Sequence, residues 1–217
     1  MINRKKIFLI TISIIILITI VYVLYLNNIF IITEYEIKCT EKNIGIIDTY
    51  LTNEYDNLIY EKYTNNNISN DMTHGDSIVQ FIKDINYTGN IYYYSAWNGE
   101  KITADALIEG LEWMKKNGIK KVNISLSSSK FSKNLKNWII TNKDVLRVYA
   151  SYNNNLNTVA DYPAMYDYVL ASGCDSRIPY KDNDIKYRSN KIIILSRMKL
   201  KFYQGNSYLS PLSMIRK

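Results

Sequence analysis

The 217-residue chain has 27 Lys and Arg against 20 Asp and Glu, a net charge of +7, and is 47% hydrophobic with only 3 Pro and 8 Gly. Such a chain can bury a core, which excludes disordered, collagen-like and low-complexity classes. Its basic charge would point to nucleic acid or an anionic membrane only where clustered.

Residues 7–26, IFLITISIIILITIVYVLYL, are 20 residues without a charge. At about 1.5 Å per residue they are long enough to cross a bilayer core. Arg4, Lys5 and Lys6 precede them, and the next basic residue is Lys38. The positive-inside rule therefore predicts a cytoplasmic basic flank (1–6), a transmembrane signal anchor (7–26), and everything beyond it outside the cytoplasm. A cleaved signal peptide is the alternative. Its apolar region runs about 7–15 residues and ends in small residues, whereas Tyr25, Asn27 and Asn28 stand here.

Setting aside the three flanking cations leaves 24 basic residues against 20 acidic ones. The lysines between 115 and 136 are scattered, which reads as a solvated face, and no nucleic-acid partner is expected. Cys39 and Cys174 read either as one disulfide or as two small buried thiols.

After a linker (27–42), strands and helices alternate. Asn43–Asp48 is a short apolar run ending on a carboxylate, a buried strand. His74–Ile85 has helical apolar spacing at Ile78, Val79, Phe81, Ile82 and Ile85. Ile91–Ala96 is a strand, and Thr103 caps a helix that Asn117-Gly118 stops. Lys121–Leu126 is a strand, Phe131–Thr141 a helix, and Val145–Ala150, Tyr168–Ala171 and Lys191–Leu195 are further strands. Tyr203–Asn206 reads as a polar turn. A last short helix follows Ser207, with Pro211 in its first turn. The pattern predicts an α/β fold, a parallel twisted sheet with helices on both faces, with functional groups at the carboxyl ends of its strands.

His74 is the single histidine. Asp48 precedes it by 26 residues, and Ser207 follows it by 133. A serine nucleophile needs a base for its proton, a carboxylate to hold that base in one tautomer, and donors for the oxyanion. Asp, His, Ser is one of the chain orders in which such triads occur.

Three segments carry a family resemblance. Ile44-Gly45-Ile46-Ile47-Asp48-Thr49 resembles the aspartate motif of subtilisin-like serine proteases. Thr73-His74-Gly75-Asp76-Ser77 resembles their histidine motif, and Gly205-Asn206-Ser207-Tyr208-Leu209-Ser210-Pro211 their nucleophile motif. Between them, Val122–Leu126, Val148–Asn153 and Tyr162-Pro163-Ala164 follow the family order, so the resemblance spans residues 43–217. It implies Ser207 as nucleophile, His74 as general base and acid, and Asp48 as the group that orients it. It also implies Asn153 as the oxyanion donor, and Ser125, Leu126 and Ser127 as an edge that pairs with an extended peptide.

Several residues depart from the family pattern. Tyr152 stands where a Gly usually precedes the oxyanion Asn, and is expected to mis-aim it. Asp76 is expected to raise the pKa of His74 or compete for its hydrogen bond. Tyr208 and Leu209 bring bulk to a tight packing point. Ten residues follow Ser207 and about 20 separate the apolar stretch from Asp48, which reads as a trimmed fold without a folding pro-domain. No metal site or cofactor is expected; structural calcium is possible, with no identifiable loops.

Two functions stay open. One is a membrane-anchored, extracytoplasmic serine endopeptidase, single-pass in the cell membrane, acting on a peptide or protein substrate. The other is a catalytically impaired module that binds an exported peptide or surface protein.

Overall fold

The computed structural model describes residues 4–33, 41–61, 71–152, 161–196 and 199–216. In chain order the elements are α1 (Arg4–Leu26), β1 (Phe30–Thr33), β2 (Asn43–Asp48), β3 (Leu58–Glu61), α2 (His74–Asp84) and β4 (Asn90–Ser95). Then come α3 (Ala104–Lys116), β5 (Lys121–Ile124), α4 (Lys133–Asn142), β6 (Arg147–Ser151), β7 (Val169–Gly173) and β8 (Ile185–Lys186). The chain closes with β9 (Lys191–Ser196), β10 (Lys199–Gln204), a 3-10 turn at Asn206–Tyr208 and α5 (Leu209–Arg216).

Seven strands form one sheet in the order β3-β4-β2-β5-β6-β7-β8, every neighbouring pair parallel. A parallel sheet buries both faces, and successive residues of β2 serve opposite sides. Ile44 and Ile46 pack in one core with Ile78, Phe81 and Ile82 of α2 and Leu212 and Ile215 of α5. Ile47 belongs to the other core, with Leu107 and Leu111 of α3 and Leu135 and Ile139 of α4. The helices therefore cover both faces, as the strand-helix alternation predicts. The order reverses at β2, which lies between β4 and β5. Ligand sites of open α/β sheets collect at such a reversal, beyond the carboxyl ends of the strands.

Two parts differ from the expectation. β9 leaves the parallel sheet and joins a separate three-stranded sheet, β1-β9-β10, parallel to β1 and antiparallel to β10. The segment expected to be a polar turn at Tyr203 and Gln204 is the end of β10. The reason is local: Leu200 and Phe202 alternate with Lys201 and Tyr203, a period of two that needs only a partner strand. β3 is a short edge strand of 4 residues with too little pattern to announce itself. Within residues 27–42, Phe30–Thr33 is β1.

α1 has 23 residues, none buried, and is long and apolar enough to be a membrane span or a signal sequence.

Candidate active site

Asp48 ends β2 and is fully buried. Its Oδ1 accepts the Thr49 backbone N–H at 2.8 Å and faces Nδ1 of His74 at 2.7 Å. Its Oδ2 is buried without a hydrogen-bond partner among the described residues. An ionised carboxylate accepts only, so Nδ1 carries the proton and the other ring nitrogen keeps a lone pair. Burial of the ring lowers the His74 pKa, but the hydrogen bond and charge of Asp48 outweigh it, and the pKa is raised above its usual 6.5.

His74 is the first residue of α2, and that helix end is tied firmly to the loop after β2. Thr73 caps the helix and forms a reciprocal capping box with Asp76. Thr73 Oγ1 donates to the Tyr50 carbonyl at 2.6 Å, and Gly75 N–H donates to Thr49 Oγ1 at 2.8 Å. Tyr93 of β4, fully buried, donates its hydroxyl to the Thr49 carbonyl at 2.6 Å. These bonds hold the Asp48 strand end and the His74 helix end in one unit.

Asp76 plays a part in this unit that corrects the sequence expectation. Its carboxylate turns away from His74 and accepts Thr52 N–H (3.0 Å), Thr52 Oγ1 (2.6 Å), Asn53 N–H (3.2 Å), Thr73 N–H (3.0 Å) and Tyr55 OH (3.1 Å). Burial acts to raise its pKa, but the bonds from Thr52 and Thr73 prevail and bring it down to about 2. It competes for nothing at His74; it braces the loop after β2 against the start of α2. The spacing Thr73-x-x-Asp76 is itself a capping-box signal.

Gly75 makes this close approach possible. A Cβ there would lie 1.9 Å from Tyr93 Oη and 3.1 Å from Thr49 Oγ1. Gly75→Ala is therefore expected to destabilise the fold by about 1–3 kcal/mol through overpacking. Chemical denaturation checks this, and an unchanged midpoint would contradict it.

Ser207 lies in the 3-10 turn between β10 and α5. The chain enters through Gly205, whose φ of 146° lies in the region that favours glycine. Ser125 Oγ donates to the Ser207 carbonyl at 2.7 Å, and Ser207 Oγ donates to the Ser125 carbonyl at 3.4 Å. The neighbouring Asn206 was not among the site candidates, yet it fastens the turn. Its Nδ2 donates to the Tyr152 carbonyl at 2.8 Å, and its Oδ1 accepts from Asn190 Nδ2 at 3.2 Å and Cys174 Sγ at 3.3 Å. Leu209 is fully buried, and Tyr208 packs its ring 5.2 Å from Phe81 and 4.9 Å from Tyr203, so the expected excess bulk is accommodated.

His74, Ser207, Gly205 and Asn206 line one cavity of about 360 Å³ with Ser125, Leu126, Ser127, Ser151 and Tyr152. It sits at the carboxyl ends of β5 and β6. Residues 125–127 make no backbone-to-backbone hydrogen bond among the described residues, and the Ser125 carbonyl faces Ser207 Oγ. A larger cavity of about 580 Å³, lined by Lys143, Arg147, Tyr168 and neighbours, lies at the opposite end of the sheet.

Tyr152 does not carry a positive φ, so it does not use the backbone freedom that a Gly would offer. Its ring is 2% exposed, its hydroxyl donates to Asp184 Oδ2 at 2.6 Å, and it meets Tyr180 edge-on at 5.4 Å. Asn153 and Cys39 lie outside the described residues, and with them the oxyanion donor and the Cys39–Cys174 pairing. Cys174 is half-buried, and burial raises its thiol pKa. Among the described residues no cluster of three or more His, Cys, Asp or Glu is placed to hold a metal ion.

No family model matches this sequence, and no curated protein does. Solved structures do match in fold. The prenylagaramide maturation protease PagA aligns with a TM-score of 0.53 at 15% identity, over 83% of this chain and 74% of that one. A point mutant of the protease domain of PatA aligns with a TM-score of 0.55 at 16% identity, over 79% and 76%. A cold-adapted subtilisin-like serine proteinase aligns with a TM-score of 0.52 at 15% identity, over 80% and 74%. The chain has the subtilisin-like fold.

Proposed function

We propose that this subtilisin-fold chain is a membrane-anchored serine endopeptidase, acting outside the cytoplasm through Asp48, His74 and Ser207. The observation that carries the reading is the 2.7 Å bond from His74 Nδ1 to the buried Asp48, with His74 and Ser207 lining one cavity. In this reading Ser207 Oγ attacks the scissile carbonyl as His74 Nε2 takes its proton. Asp48 keeps the ring in that tautomer and stabilises the imidazolium. Asn153 donates to the tetrahedral oxyanion. His74 returns the proton to the leaving amine, and water then releases the acyl group with His74 again as base. The edge at Ser125–Ser127 pairs with the substrate backbone. Residues 7–26 span the membrane with residues 1–6 inside, and residues 43–217 form the peptidase domain. A second reading, a peptide-binding module without cleavage, is favoured by the Ser207 hydroxyl pointing to the Ser125 carbonyl. In that case Ser207→Ala leaves cellular function intact, and disrupting the 125–127 edge abolishes it.

The pH dependence of labelling by a fluorophosphonate tests the base. Only neutral His74 accepts the proton, and its pKa is raised above 6.5. The labelling rate is therefore expected to rise with pH through a midpoint above 6.5. The pairing with Asp48 stabilises the fold fully below the unfolded pKa, and this contribution fades as pH rises through the folded one. A pH-independent rate would contradict His74 as base.

A further inference from the structure

The β1-β9-β10 sheet turns a contiguous apolar face outward. Its register places Ile31, Ile193 and Phe202 side by side, with Leu195 and Leu200 adjacent in the next row. Alternate residues of a strand share a face, and the opposite face holds the buried Ile32, Ile192 and Ile194. On the outer side Ile31 is 44% exposed, Leu195 47%, Phe202 53% and Leu200 67%. Single exposed apolar residues are ordinary, whereas adjoining rows of them mark a contact surface.

The position of the sheet in the chain identifies what covers it. Only residues 27–29 separate the end of α1 from the start of β1, a reach of about 10 Å. The junction is also fastened: Arg188 Nε donates to Asn28 Oδ1 at 2.9 Å, and its guanidinium lies 4.8 Å over the Tyr25 ring. Tyr22 and Tyr25, each 60% exposed, are residues that favour the headgroup level of a bilayer. Arg188, over the Tyr25 ring, is a cation of the kind that meets lipid phosphates at that level.

We propose that the outer face of this sheet rests on the bilayer surface, with Ile31, Leu195, Leu200 and Phe202 at the headgroup–acyl boundary. The proposal rests on α1 being the anchor, as in the reading above, and is independent of catalysis. Its consequence is positional. β10 leads through Gly205 directly to Ser207, so a sheet held on the membrane holds the nucleophile within about 23 Å of Leu200 along the chain. Cleavage would then be confined to peptide segments close to the membrane surface.

The test uses the full chain reconstituted in phosphatidylcholine–phosphatidylglycerol vesicles. Leu200→Cys, in a Cys39→Ser, Cys174→Ser background, carries an environment-sensitive nitrobenzoxadiazole label, and Lys130→Cys and Ile15→Cys carry the same label as references. The expected result is several-fold brighter emission at 200 than at 130, quenched by lipids with nitroxides near the headgroup. Emission at 200 that matches 130 would overturn the proposal. Bright emission that lipid nitroxides do not quench, and that grows with protein-to-lipid ratio, would overturn it in favour of a second copy. Deep nitroxides should quench the label at 15; failure there overturns the anchor itself, and is thereby told apart from failure of the sheet contact.

Discussion

Asp48→Asn is expected to slow acylation of Ser207 by about 10³–10⁴-fold, the scale on which such a base loses its correct tautomer. Asp48 Oδ1 accepts two hydrogens at once, from Thr49 N–H and His74 Nδ1. An Asn with its oxygen in the Oδ1 place accepts both bonds but leaves the imidazolium without its counter-charge. An Asn turned the other way sets its NH₂ against both the Thr49 N–H and the imidazole, so Nδ1 must accept and Nε2 keeps the proton. In either orientation Nε2 is the poorer base. The fold itself should hold, because Asp48 Oδ2 has no partner to lose among the described residues. Pseudo-first-order labelling rates with a fluorophosphonate, beside melting curves, check both halves. A loss of less than about tenfold would contradict the orienting role of Asp48.

Asp76→Ala is expected to cost about 2–4 kcal/mol of stability, since it strands several part-buried donors at once. Thr52, Asn53 and Thr73 all lose the acceptor for their backbone N–H groups, and the Thr52 hydroxyl loses its own, whereas the Tyr55 hydroxyl keeps the Asp76 carbonyl at 3.2 Å. The native carboxylate also has a pH signature. Its pKa falls from 3.8 to about 2 on folding. The stabilisation is therefore complete above the unfolded pKa and fades as pH drops through the folded one, an effect of about 2 kcal/mol. Urea denaturation from pH 6 down to pH 2 measures it, within the handling range of about those values. The acid limb of the wild type should be steeper than that of Asp76→Ala. Equal limbs and an unchanged midpoint at neutral pH would contradict the bracing role.

The two effects separate along the same short stretch of chain, and that stretch also shows how far the sequence can be read. The apolar periods of β2 and α2 were legible because each buries one or two full faces against the core. Asp48, His74 and Ser207 were legible because the chemistry needs those residue types and the order of their motifs is ordered along the chain. Asp76 was misread because it lies two residues from His74 in sequence. On a helix, residues two apart point to different sides, and Asp76 serves as the third residue of a capping box instead. The setting of the Tyr152 ring was not legible for a related reason, and its expected effect on Asn153 lies outside the described residues. The fate of its ring depends on Asp184, 32 residues away, and no local pattern announces that partner. The β1-β9-β10 sheet was illegible because β1 and β9 are some 160 residues apart in sequence, and the four-residue β1 carries little pattern alone. Asn206 carried no local signal for its role, although its amide ties three segments together.

The most direct test of the account treats the full chain with a fluorophosphonate and maps the modified peptide by mass spectrometry. The account predicts one adduct, on Ser207, absent from Ser207→Ala and strongly reduced in His74→Ala. An unmodified Ser207 in folded wild-type protein above the His74 pKa, or an adduct that persists in Ser207→Ala, would contradict it.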